Sequence, residues 1–182
     1  MPFRSFALSP AVLLVVLPAL AQSAAVDVDV TLYTPGASCT ITLTNDLDFG
    51  AAEKPATGSG SITINAQTGS RSSSGIVVSG TSTVGQVRLV GQHTSSYTMS
   101  RSFPTKLTKG TSSLDFTGAW SESSSANSGY SSISTSSYSG TAGGAGTSFT
   151  HHFRFGGQVS GITWSDGDGG YAGSIATSAS CN

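Results

Sequence analysis

The chain has 182 residues, only 9% of them charged, and a formal net charge of −1 at pH 7. This balance excludes a basic surface for nucleic acid or anionic lipid. The length suits one domain with a sizeable core, and the abundance of Gly, Ser and Thr favours strands and turns over helices.

The first 21 residues have the pattern of a secretory signal peptide. Arg4 is the only charged residue before Asp27. An apolar run occupies residues 6–20, and small residues surround Ala21. A basic start, a short apolar segment and a small-residue cleavage site are typical of export signals, whereas this run is too short and too interrupted by proline for a membrane span. We expect cleavage after Ala21, or alternatively after Ala25, and an exported mature chain with no membrane span.

Apolar and polar residues alternate along most of the remaining chain. Such alternation places one face of a strand in a core and the other face in water. Many short strands between Gly- and Ser-rich turns predict an all-β sandwich or barrel, without helices after the signal peptide. The apolar positions that share a face in successive segments are Val26, Val28, Val30 and Leu32, then Cys39, Ile41 and Leu43, Ile62 and Ile64, Val87 and Leu89, Tyr97 and Met99, Leu114, Phe116 and Trp120, Phe149, Phe153 and Phe155, and finally Tyr171, Ile175, Ala179 and Cys181.

The pattern divides the chain into a signal peptide, residues 1–21, an N-terminal extension, residues 22–36, and a β-sandwich domain, residues 37–182. A Ser-rich insert, about residues 121–146, interrupts the domain. Eleven of the twenty residues from 121 to 140 are serine. This composition is compatible with a flexible loop or with a polar edge hairpin, and we expect a partly ordered hairpin.

Cys39 and Cys181 are the two cysteines of the chain. An exported protein meets an oxidising compartment, in which cysteines form disulfides. Each cysteine lies at an inward-facing position of its alternating segment. We therefore predict one intramolecular bridge, with Cα atoms within about 7 Å. Two free or intermolecular thiols are the alternative.

No group of residues has the composition and spacing of an enzyme active site. A hydrolase needs a nucleophile, a base and an orienting group, and no Gly-x-Ser-x-Gly elbow marks one of the many serines. His93 stands alone, and the adjacent His151 and His152 point to opposite faces of a strand, which disfavours a shared metal ion. We predict no enzymatic activity, no cofactor, and surface or packing roles for the histidines.

The segment Asp166-Gly167-Asp168-Gly169-Gly170 begins like a calcium-binding loop. The third acidic ligand and the late bidentate Glu of an EF-hand are absent from it. Asp and Gly are also dense in plain turns. We interpret the segment as a turn between strands and predict no metal site.

Motifs in a fixed order along the chain resemble those of small secreted bacterial β-sandwich domains. Leu47-Asp48-Phe49-Gly50 resembles a Leu-Asp-Phe-Gly signature that follows an N-terminal strand. A strand followed by a glycine turn is resembled by Val87-Arg88-Leu89-Val90-Gly91. The strand with a tyrosine that comes next in those domains is resembled by Tyr97-Thr98-Met99. Phe153-Arg154-Phe155-Gly156-Gly157 resembles a Gly-Gly turn, and Gly170-Tyr171-Ala172-Gly173 resembles the opening of the last strand.

Two related families carry these motifs, an uncharacterised envelope domain family and the spore coat protein U family, which includes subunits of archaic chaperone–usher pili. The Ser-rich insert and a disulfide that reaches the C-terminal strand depart from the pattern. The resemblance implies an immunoglobulin-like antiparallel sandwich with a structural role. In pilus subunits of this type the domain lacks one strand, and the N-terminal extension of a neighbouring subunit fills the gap.

The resemblance gives the N-terminal extension a role as a donor strand. The apolar residues that it would present are Val26, Val28, Val30 and Leu32, ahead of the break at Pro35-Gly36. The alternative is that residues 26–33 form the first strand of their own sandwich. We favour donation slightly.

We predict an exported structural subunit of a fimbria- or pilus-like surface fibre, assembled by strand donation between copies of itself or related subunits. A periplasmic chaperone and an outer-membrane usher would be its partners in the periplasm, before it reaches the cell surface or an extracellular fibre. The alternative is a monomeric cell-surface or matrix sandwich, such as an adhesin or coat protein, in which Trp120 and Trp164 would be candidates for sugar contact. A secreted hydrolase is a weaker third hypothesis.

Overall fold

The computed structural model describes residues 36–92, 94, 96–142 and 147–182, and within these ranges every regular element is a strand. The predicted signal peptide, the alternating residues 26–33 and His93 lie outside the described residues. No helix of the described part is long and apolar enough to cross a membrane. The strands are β1 (Ser38–Asn45), β2 (Ala51–Glu53), β3 (Gly60–Ile64), β4 (Arg71–Ser74), β5 (Val77–Ser79), β6 (Gly85–Gln92), β7 (Ser96–Ser102), β8 (Lys106–Lys109), β9 (Ser112–Ser123), β10 (Ser131–Ile133), β11 (Ser137–Thr141), β12 (Ser148–Ile162) and β13 (Ala176–Cys181).

The 15-residue strand β12 is the centre of an eight-stranded antiparallel sheet. Its first half pairs with β6 and its second half with β3, while its other edge pairs with β9. Strand β1 pairs with β6 and β4 pairs with β3, so β1 and β4 are edge strands. Strands β8 and β10 pair with the two ends of β9. The whole sheet therefore depends on β12.

A second antiparallel sheet, in the order β11-β7-β13, packs against the first sheet, and β2 and β5 form a separate two-stranded pair. Leu89, Trp120 and Phe153 of the first sheet meet Tyr97 and Met99 of the second, and each of these side chains is at most 2% exposed. All five occupy positions that the alternation assigns to the inward face. The prediction of an all-β antiparallel sandwich is confirmed, whereas its immunoglobulin-like detail stays a prediction.

The predicted disulfide between Cys39 and Cys181 is present, with the two Cα atoms 5.7 Å apart. Cys39 lies on β1 and Cys181 on β13, so the bridge joins an edge strand of one sheet to an edge strand of the other. Both residues pack against the main core cluster. The bridge therefore holds the two sheets together along one side of the sandwich.

The Ser-rich insert contributes to both sheets over its described part, residues 121–142. Strand β10 returns alongside β9, which forms the expected hairpin. Strand β11 then crosses to the second sheet and pairs with β7. Tyr130 is 8% exposed beneath the guanidinium of Arg154, whose Cζ lies 4.0 Å from the ring centroid, and Tyr138 packs against the core. A few large side chains therefore anchor the insert more extensively than one edge hairpin would require.

Candidate functional site: a cleft between the sheets

The sandwich opens into a cleft of about 1110 Å³ in the half that lies away from the disulfide. The second sheet does not cover this half, because β7 ends at Ser102 and β13 begins only at Ala176. Loops take its place over the first sheet. The large apolar residues that line the cleft are Ile41, Leu43, Leu47, Phe49, Ile62, Val87, Pro104, Leu107, Leu114, Phe116, Phe155, Val159, Ile162, Tyr171 and Ile175.

One wall of the cleft is the motif Leu47-Asp48-Phe49-Gly50. Asp48 Oδ1 accepts the backbone N–H of Gly50 at 2.8 Å, which closes a tight turn. Gly50 has a φ of +76°, and a Cβ there would lie 2.3 Å from Nη1 of Arg71, which itself donates to the carbonyl of Phe49 at 3.0 Å. The turn requires glycine at this position and places Leu47 and Phe49 in the cleft lining.

A second part of the cleft lining is the motif Gly170-Tyr171-Ala172-Gly173. The Tyr171 hydroxyl donates to the carbonyl of Gly167 at 3.0 Å, and this bond fixes the ring at the cleft. A Cβ at Gly173 would lie 2.9 Å from Cδ2 of Leu107, so the backbone there packs directly against another lining residue. The two motifs, far apart in the sequence, thus line one cleft.

Two edge strands bound the cleft. In the described part of the chain, β1 pairs only with β6 and β13 only with β7, so each leaves one row of backbone groups without a strand partner. The Cys39–Cys181 bridge joins these two strands at one end of the sandwich, outside the cleft lining. Toward the other end Leu43, which faces the cleft from β1, is 62% exposed. An extended apolar segment could therefore cover Leu43 and pair with a sheet edge at the same time.

The rim of the cleft carries the loop that we interpreted as a turn. Lys54 Nζ donates to the carbonyl of Asp166 at 2.9 Å and forms an ion pair with Asp168 Oδ1 at 2.7 Å. The hydrogen bond and the positive charge that Lys54 brings to Asp168 lower the pKa of this carboxyl group. Asp166 Oδ2 accepts the N–H of Thr163 at 2.6 Å. The side chain of Lys54 also lies over Trp164, which is 66% exposed. Protein donors thus engage both carboxylates, and the described ranges contain no group of three metal-ligating side chains.

His151 faces the core, at the end of the sandwich away from the cleft. Its Nε2 lies 2.5 Å from Glu122 Oε2, and the two side chains are 16% and 17% exposed. Tyr97 and Tyr138 of the second sheet contact the same imidazole, and burial, aided by the charge of Glu122, raises the pKa of both phenols. The pair with Glu122 was not foreseen, although His151 shares its strand parity with Phe153. The cluster joins the two sheets, which is a packing role.

His152 faces outward from the first sheet beside Arg88, its cross-strand partner on β6. Burial lowers the pKa of His152, and the nearby charges of His151, Arg88 and Arg154 lower it further. Arg88 is exposed. Among the described residues, the ion pairs involve Lys54, Lys106 and His151 but not Arg88. The outer face of β6 therefore carries a positive charge without a carboxylate partner in the described part of the chain.

The structure brings together most of the residues that the sequence singled out. Leu47 to Gly50 and Gly170 to Gly173 line the same cleft, and Cys39 and Cys181 join its two edge strands outside the lining. The candidate donor residues Val26, Val28, Val30 and Leu32 lie outside the described residues. The role of Lys54 at the rim was not foreseen, because one lysine in a loop carries no recognisable sequence signal.

The fold and the cleft define a disulfide-bonded antiparallel β-sandwich with an open apolar groove between its sheets. Residues 39–180 match a family model described as Domain of unknown function (DUF4402), and the chain belongs to this family. The match includes both wall motifs and all but the last residue of the strand that carries Cys181. No curated protein and no solved structure matches the chain. The likeness to the spore coat protein U family stays a prediction.

Proposed function

We propose that the chain is an exported structural subunit of a fimbria- or pilus-like surface fibre, assembled when the N-terminal extension of one copy fills the cleft of another. The observation that carries this proposal is the cleft itself. It has a volume of about 1110 Å³, large apolar side chains in its lining beside polar and charged ones such as Asp46, Lys54 and Asp168, and two edge strands at its boundary.

The energetics of such an assembly are favourable. Leu43 is 62% exposed, and the side chains of Leu47, Phe49 and Ile175 are only partly buried around the cleft. Each valine of an incoming segment that becomes buried contributes about 1.5–3 kcal/mol, and pairing with an edge strand adds backbone hydrogen bonds.

An unfilled apolar cleft beside sheet edges is an aggregation hazard before assembly. A periplasmic chaperone that covers the cleft, and an outer-membrane usher that releases the subunit into the fibre, are the partners that this hazard would require. The Cys39–Cys181 bridge fits an oxidising compartment on this route.

The donor side is tested with Val28→Asp. A charge at this position cannot enter an apolar cleft without a large desolvation cost, so fibres should disappear while soluble, chaperone-bound subunit remains. Asp27→Ala, on the opposite face of the segment, is the matched control and should be nearly silent. The measurement is surface fibre against soluble subunit, for both variants in the same native strain. Normal fibres from Val28→Asp would exclude strand donation, and unfolded or degraded protein would instead place Val28 in its own core.

The acceptor side is tested with Leu43→Asp. Because Leu43 is largely exposed, this change should leave the fold of the subunit intact and still abolish fibres. Thr40→Asp, at an exposed position on the outward face of β1, is the control and should retain fibres. Equal effects of the two changes would mean that the cleft is not the docking surface.

A monomeric cell-surface sandwich with a binding role is the second candidate. The observation that favours it is Trp164, 66% exposed at the cleft rim beside Lys54, where a planar ring is available to a sugar. Trp120 no longer supports this candidate, since it is 1% exposed in the core. Size-exclusion chromatography and electron microscopy of native secreted material distinguish the two, because the second candidate yields monomers only.

A further inference from the structure

We propose that Arg88 fixes the register of strand donation by pairing with Asp29 of the incoming segment from a second copy. This inference rests on the proposed function and adds to it a direction, a register and a residue that determines specificity. Arg88 is exposed on β6, the strand next to the edge strand β1. It lies two strands inward from the position that a donor on the outer edge of β1 would occupy.

The direction follows from matching two segments of equal length. The donor residues 26–33 and β1, Ser38–Asn45, both have eight residues. Full antiparallel overlap places every apolar donor residue opposite a residue on the cleft-facing parity of β1, whereas full parallel overlap places it opposite an outward threonine or serine. The facing apolar pairs in the antiparallel arrangement are Leu32 with Cys39, Val30 with Ile41 and Val28 with Leu43.

The same register puts an aspartate in line with Arg88. Asp29 falls opposite Thr42, and Thr42 is the cross-strand partner of Arg88 on β6. The outer faces of all three strands then carry Asp29, Thr42 and Arg88 in one row. Two strand spacings amount to about 9.6 Å, which a long arginine and an aspartate can close over the small threonine between them.

The ion pairs of the described residues support Asp29 as the partner, because they leave Arg88 without a carboxylate. Lys54 and Lys106 already pair with Asp168 and Asp115, whereas none of the ion pairs of the described residues includes Arg88. The charge of Arg88 also contributes to the lowered pKa of His152, after burial and His151, so it acts on this outward face of the sheet. An aspartate brought by a second copy would offset it.

Asp27 provides an internal contrast. In the antiparallel register it falls opposite Thr44, beside the irregularity between Leu43 and Asn45 where β1 leaves its regular pairing with β6. The β6 residue at that level is Gln86, and the arginine of the row, Arg154 on β12, lies one strand further from the donor with its guanidinium over the ring of Tyr130. The two aspartates of the extension therefore differ in role, although their chemistry and parity are the same.

The experiment compares assembly of the full exported subunit in Asp29→Ala, Asp27→Ala, Arg88→Glu and the charge-exchanged double variant Arg88→Glu with Asp29→Arg. Lys106→Glu is the control for loss of an exposed cation on another strand. We expect the ratio of fibre to soluble subunit to fall about two- to fivefold in Asp29→Ala, as for an exposed ion pair, and to change little in Asp27→Ala and Lys106→Glu. Arg88→Glu should lower it further by repulsion, and the double variant should restore it.

Each result separates this inference from the proposed function. If Asp29→Ala and Arg88→Glu assemble normally while Val28→Asp does not, donation stands and the register inference is wrong. If Asp27→Ala and Asp29→Ala fall equally, or the double variant is not restored, Arg88 does not recognise Asp29. If Val28→Asp also assembles normally, both proposals are wrong.

Discussion

Replacing both cysteines in Cys39→Ala with Cys181→Ala should destabilise the domain severely. The bridge spans a sequence separation of 142 residues, nearly the whole described chain. For a closed loop of this length the chain-entropy relation gives about 5 kcal/mol at 25 °C. Domains of ordinary stability unfold with about 5–15 kcal/mol, so the variant would lose a third or more of the total.

Equilibrium unfolding in guanidinium chloride measures this loss. Trp120 is suited as the reporter because it is 1% exposed and stacks on Phe153 with ring centroids 5.7 Å apart. Ser38→Ala with Ser180→Ala, the outward neighbours of the two cysteines, is the matched control and should change the free energy of unfolding by less than about 0.5 kcal/mol. A cysteine variant that loses under about 1 kcal/mol would refute the loop-entropy argument, since the unfolded chain would then be constrained by other means.

Two further changes test the wall motif and the outer face. Gly50→Ala should lower the melting temperature more than Gly58→Ala. Both glycines have a positive φ, +76° and +75°, so both variants carry the cost of a left-handed backbone, about 1–2 kcal/mol, but only the Cβ at Gly50 would meet close neighbours. The difference between the two melting temperatures therefore measures the steric clash alone. His152→Gln should make stability less sensitive to acid, because a folded-state pKa below the ordinary value of about 6.5 means that the unfolded chain binds the proton more readily and stability is lost as pH falls below that value. Unfolding free energies at pH 7 and pH 5 that differ equally in wild type and variant would contradict this.

The sequence predicted most of the core, because the alternation of apolar and polar residues indicates which face of a strand is buried. Leu114, Phe116 and Trp120 share one parity in the sequence and all lie in the core on β9. The pairing of Cys39 with Cys181 followed from the same parity argument together with the predicted export signal. These predictions are local, because each uses only the alternation within one strand that has the core on one face and solvent on the other.

The sequence did not predict the cleft, because the cleft depends on contacts between segments that are distant in the chain. The sequence marks the Asp48 and Tyr171 motifs separately, but nothing in it says that they line one cleft. The arrangement of strands around β12 was hidden for the same reason. Periodicity identifies a strand and its buried face, whereas its neighbours are chosen by the packing of the whole domain.

The position of β12 in the chain has a consequence for the order of folding. Strands β3, β6 and β9 all precede β12 in the sequence and all pair with it. Because synthesis proceeds from the N-terminus, none of them has this partner until residues 148–162 have been made. The preceding strands must therefore remain without their central partner for most of that time, and folding is a late event that waits for non-local pairing. A chain that stops before residue 148 should not fold, however much of the core it carries.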